Sequence, residues 1–116
     1  MTRSALAIAA VFFSAAASAQ ADIVGTWAFI AGGCEDPAGT MSFSRDGRYA
    51  SDCDGGTWSL TGNRIEIDIT GPANAACVAT SAPPGLYYGT VLGQAGESLT
   101  VQWQTTGTTT AMSRCP

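Results

Sequence analysis

The chain has 116 residues, with nine acidic against five basic side chains and a net charge of -4 at pH 7. That length accommodates one small domain, and that charge excludes a basic nucleic-acid footprint. There is no His and no Lys, which removes His-based metal sites, Ser-His-Asp and Cys-His catalysis and Schiff-base chemistry, so no catalytic residue, metal ligand or cofactor is assigned.

Residues 1–19 read as a secretory leader. Thr2-Arg3 is a short positive start, Ala5–Phe13 is apolar throughout, and Ala17-Ser18-Ala19 offers the small residues a signal peptidase requires before Gln20. Ala19-Gln20-Ala21, cut before Asp22, fits nearly as well. The apolar run is shorter than the ~20 residues that span a bilayer, and no later segment is suited to crossing as a helix. The expectation is an exported protein, periplasmic or extracellular, whose mature chain from residue 20 to 116 is a single domain without a membrane span. Arg3 departs with the leader, and the acidic remainder disfavours anionic membranes and nucleic acid as partners.

Glycine and threonine are abundant after residue 20, and no window keeps an apolar 3.6-residue period. Val24–Ile30 is the first expected strand. Around Arg45-Asp46-Gly47, a three-residue loop with Gly47 left-handed pairs Phe43 with Tyr49 on one face, with Met41 and Cys53 sharing it, whereas a two-residue loop would set Phe43 and Tyr49 on opposite faces. Thr57–Thr61 and Arg64–Thr70 flank Gly62-Asn63, a two-residue hairpin signal, and Arg64–Thr70 alternates strictly with Ile65, Ile67 and Ile69 on one side. Gly71–Pro84 is the one long connection. Gly85–Gly93, Ser98–Gln104 and Thr108–Arg114 complete the strands, with turns over 94–97 and 105–107. The fold class expected is all-β: an antiparallel up-and-down meander of about eight strands, closed into a small barrel so that no edge is left open, with an open sandwich as the alternative. Cys34, Cys53, Cys77 and Cys115 are an even count in a short exported chain, with no C-x-x-C pair, and read as two disulfides.

Gly25-x-Trp27, the Phe43-x-x-Asp46-Gly47-x-Tyr49 hairpin, Gly56-x-Trp58 and Arg114 after the last strand resemble the lipocalin-like (calycin) barrels and their small exported bacterial relatives of unknown function. The resemblance implies that Trp27 plugs one barrel end with Arg114 lying across it, and makes Gly25, Trp27, Asp46, Gly47, Trp58 and Arg114 a structural signature. An eight-strand meander puts Cys34, Cys53 and the Cys77 loop at one end and Cys115 at the other, giving Cys34–Cys53 and Cys77–Cys115 if the 71–84 loop runs down the barrel. A ninth strand over Asn74–Ser81 gives Cys34–Cys115 with Cys53–Cys77. The second set is slightly preferred because it staples the chain ends together.

The inward positions are bulky, from Trp27, Phe29, Met41 and Phe43 through Trp58 and Leu60 to Trp103, and favour a filled core over a hollow one. Tyr87 and Tyr88 mark a ligand mouth, with one of the two facing out. No titratable residue reads as clearly inward, so any ligand would be small and apolar. Glu35-Asp36 and Asp52-Cys53-Asp54-Gly55 set four carboxylates near one rim; turn chemistry accounts for them better than calcium or glycoside hydrolysis does. The reading is a non-catalytic, monomeric exported barrel that binds a small apolar ligand or an envelope partner. The alternatives are a protease inhibitor and a structural or stress-related envelope protein.

Overall fold

The computed structural model describes residues 22–116. The expected leader and the cut before Gln20 lie outside the described residues, and the cut before Asp22 falls at their edge. Eight strands follow in chain order: β1 Gly25–Ala28, β2 Thr40–Phe43, β3 Arg48–Ser51, β4 Asp54–Thr61, β5 Arg64–Pro72, β6 Gly85–Ala95, β7 Ser98–Trp103 and β8 Thr108–Arg114. Each pairs antiparallel with its chain neighbours, and β8 returns to β1, so the meander closes into a barrel. This is the all-β class expected, with both disulfides formed.

The alternation read in the sequence decides the faces. Ile65, Ile67 and Ile69 of β5 and Leu99, Val101 and Trp103 of β7 are buried, whereas Asp68 and Gln102 stand in solvent. Phe43 pairs with Tyr49 across the β2–β3 hairpin, and Gly47 takes φ 89°, the left-handed position such a loop needs. Phe29, Met41, Trp58, Leu60 and Tyr87 pack against the same core. Ile23 and Met112 join it as well, and neither was anticipated.

The first strand stops at Ala28 and not Ile30, β4 starts at Asp54 and not Thr57, and β5 runs on to Pro72, so that the long connection starts at Ala73. Three further stretches depart from expectation. β6 continues to Ala95, so the turn shrinks to Gly96-Glu97, with Leu92 bulged outward between the Val91–Val101 and Gly93–Thr100 pairs. β3 ends at Ser51, because Asp52 takes φ 52° and breaks the alternation; Cys53 therefore lies in the β3–β4 turn and not on the inner strand face beside Met41. Asn74–Ser81 is no ninth strand. Its amides serve turns and side chains: Ala76 N–H donates to Asn74 Oδ1 and Ser81 N–H to Asp54 Oδ1, and no neighbouring strand is paired.

The disulfides are nevertheless Cys34–Cys115 and Cys53–Cys77. Strand parity is satisfied differently from the ninth-strand route. β1 is only four residues long, and the chain reverses at once through the Ile30–Gly33 turn, where Gly33 N–H donates to Ile30 O and Gly32 has φ 71°. Two 3₁₀ turns follow, Gly33–Glu35 and Pro37–Gly39. The reversed segment lies along the outer wall by Ala111 and Ser113 of β8, within reach of Cys115.

Candidate functional site

The two ends of the barrel are built differently. One end carries the 44–47, 62–63 and 96–97 turns. There Trp27 is fully buried, its Nε1–H donates to Ile23 O (2.9 Å), and the Arg114 guanidinium lies 4.2 Å over its ring. Arg114 Nη1 donates to Val24 O (2.7 Å) and Nη2 to Asp22 O (3.2 Å), tying residues 22–24 across this end with Ile23 as its inner cap. Gly25 makes room for that arginine: at φ 138°, a Cβ there would sit 2.7 Å from Arg114 Nη1. Trp58 meets Phe43 edge-on at 5.6 Å and donates Nε1–H to Ser44 O (2.8 Å). Asp46 accepts a hydrogen bond from the Ser44 hydroxyl, which above all holds its carboxyl below the ordinary value, and lies 3.7 Å from Arg48. The six signature residues therefore gather at this closed end and bind their own chain.

The opposite end, with the 52–53 and 104–107 turns and the 73–84 loop, is open. A cavity of about 260 Å³ enters here between Met41, Tyr49, Ile67, Ile69 and Trp103, rimmed by Ser51, Asp54, Ala82, Tyr87 and the threonines 106, 108 and 110. Trp103 packs against Gly89, where a Cβ would meet its Cε3 at 2.9 Å, and its Nε1–H donates to Thr110 Oγ1 (3.2 Å). Tyr49 is 6 % exposed, and burial pushes its phenol up to about 12. The filled core expected of the bulky inward residues is met only in part: Trp27 and Phe43 are packed at the closed end, whereas Met41 and Trp103 line the cavity at the mouth.

The loop from 73 to 84 is strapped to this rim. Cys53–Cys77 anchors it, Asp54 Oδ1 accepts from Ser81 N–H (2.7 Å) and Ala82 N–H (2.9 Å), and Ser81 Oγ donates to Asp52 Oδ2 (2.6 Å). Tyr87 Oη donates to Pro83 O (2.7 Å) from the cavity rim.

Of the two tyrosines, Tyr87 is the one at the mouth and Tyr88 the one that faces out, as one of the pair was expected to. Tyr88 points from the outer wall, with the Arg64 guanidinium 4.3 Å from its ring centre, because adjacent strand residues must face opposite ways. The expectation that no titratable residue is clearly inward is corrected by Asp54. It is 7 % exposed and lines the cavity, so the interior does hold a titratable group. Asp-Cys-Asp-Gly reads as turn chemistry in the sequence; only the fold shows that the second aspartate starts β4 and faces inward.

Of the other rim carboxylates, Asp36 caps the second 3₁₀ turn through Ala38 N–H (3.0 Å). Among the described residues, no three His, Cys, Asp or Glu side chains are placed to hold a metal ion. No described helix is long and apolar enough to cross a membrane. A broader hollow, about 680 Å³, is a saddle on the outer wall where Gly55, Gly56 and Gly71 leave no side chains. The chain matches no protein-family model, no curated protein and no solved structure.

Proposed function

We propose that this protein is a non-catalytic, exported barrel of lipocalin-like type that binds a small, largely apolar molecule in its mouth. The supporting observation is the cavity of about 260 Å³ walled by Met41, Ile67, Ile69 and Trp103, opposite an end plugged by Trp27. An eight-stranded barrel has room for its own side chains or one small ligand, and here the plug takes one half and the cavity the other. The volume lies below the roughly 300–1,000 Å³ of drug-sized sites, so the molecule is compact. Two buttressing disulfides fit an oxidising compartment, in keeping with the leader read over 1–19.

Two measurements test this reading. The full chain, expressed with its N-terminal segment and purified from the periplasm, should begin at Gln20 or Asp22, with no free thiols. An uncut chain or titratable thiols would overturn export. Titration with 2-phenylethanol, followed by amide chemical shifts, should give saturable changes at Tyr49, Ile67, Ile69 and Trp103. Shifts confined to the outer wall, or none, would overturn the mouth as a binding site.

A further inference from the structure

Among the described residues, positive charge is confined to one end of the barrel, where Asp22, Asp46, Glu66 and Glu97 accompany it. Arg45 and Arg48 sit at the β2–β3 hairpin, Arg64 opens β5 and Arg114 ends β8, so every arginine among the described residues belongs to the closed end. The chain has no lysine or histidine. The mouth thus has no cationic side chain among the described residues, while Asp36, Asp52 and Asp54 stand on its turns; Asp52 N–H donating to Pro37 O (3.1 Å) brings the first two segments together. Asp54 is the member that matters. It is more than nine-tenths buried, it lines the cavity, and its recorded partners are two backbone amides converging on Oδ1.

Those amides solvate the carboxylate without neutralising it. A buried carboxylate with no counter-ion is costly, and the cost falls when a cation arrives from outside. The cavity next to Asp54 has apolar walls in Ile67, Ile69 and Trp103 and hydroxyls on Tyr49 and Ser51. An acidic concave mouth facing away from all the arginines also concentrates cations and repels anions. Building on the mouth-binding reading above, we infer that the ligand is a compact amphiphilic amine: an aromatic or alkyl body against the isoleucines and Trp103, with its ammonium group drawn to Asp54.

Three probes of one shape separate this inference from the reading beneath it. The oxidised full-length protein is titrated with 2-phenylethylamine, 2-phenylethanol and phenylacetate, and dissociation constants are taken from the cavity amides. The amine should bind about tenfold or more tighter than the alcohol, and phenylacetate more weakly than either, because a semi-buried charge pair is worth about that factor. Asp54→Asn keeps an acceptor for Ser81 and Ala82 and should weaken the amine about tenfold relative to the alcohol, bringing the two dissociation constants together. Asp52→Asn, at the same rim but outside the cavity lining, should retain the preference for the amine. Equal binding of amine and alcohol by the unmodified protein, or better binding of phenylacetate, overturns the amine inference and leaves the mouth-binding reading standing. Absence of binding by all three overturns both.

Discussion

Gly25 and Arg114 lie 89 positions apart in the sequence and share one small volume. The guanidinium crosses the Trp27 ring to reach the Val24 carbonyl, and it passes through the space a Cβ at 25 would fill. Gly25→Ala adds both that collision and an unfavourable φ, and should cost about 1–3 kcal/mol in denaturant melts. A second residue-scale test concerns Tyr49, whose phenol is pushed up to about 12 by burial. The folded chain holds a proton that the unfolded chain releases near pH 10, so its contribution is intact below that pH. It is lost as pH climbs toward 12, a fall of about 2–3 kcal/mol in all. Melts between pH 8 and pH 11.5 should show this decline, and Tyr49→Phe should flatten it.

Among the elements, the two disulfides do unequal work. Cys34–Cys115 closes a separation of 81 residues and Cys53–Cys77 one of 24. In the chain-entropy picture these are worth about 4.5 and about 3.5 kcal/mol, so paired Cys→Ala variants should both destabilise, the first by about 1 kcal/mol more. The loop from 73 to 84 depends on Asp54 as well as on its disulfide. Asp54→Ala strips an acceptor from two amides and should cost roughly 2–4 kcal/mol, with faster proteolytic cutting inside the loop as the specific sign. A loop that stays equally protected would show that the disulfide alone holds it.

These elements also show what the sequence reveals and what it hides. Wherever a strand is half-buried, a period of two is printed in the chain; hence the inward isoleucines of β5 and the Phe43–Tyr49 register were legible. The disulfide pairing was reached by counting strands, a rule that ignores their lengths; β1 is short enough for the chain to turn back outside it, so the preferred pairing forms without the extra strand. Ile23 precedes the first strand and belongs to no periodic pattern, so its role as a cap was invisible. Asp54 was hidden by its neighbours, because Asp and Gly in a turn look alike whether they face water or the barrel.

At the scale of the whole molecule, the closing seam stands apart in sequence separation. β4 and β5 match over eight residue pairs, whereas β1 and β8 meet at Trp27–Arg114 and Ala28–Ser113, two pairs as in the local β2–β3 hairpin. Seven of the eight pairings join consecutive strands, so most native contacts are local and can form quickly; the eighth must bring together residues almost a whole chain apart. The hairpins should therefore assemble first and the ring shut last, with β1 and β8 contributing little to the folding transition state. In the native state this two-pair seam has fewer ladder partners to break than the β5 and β7 ladders. Hydrogen exchange at Ala28 and Ser113 should run ahead of exchange at Ile67 and Val101, and uniform protection around the ring would contradict that order. The Cys34–Cys115 disulfide and the hydrogen bond that Cys115 N–H donates to Thr26 O (2.8 Å) lie at the end of this seam, so the covalent clasp on the chain ends sits where the ring closes.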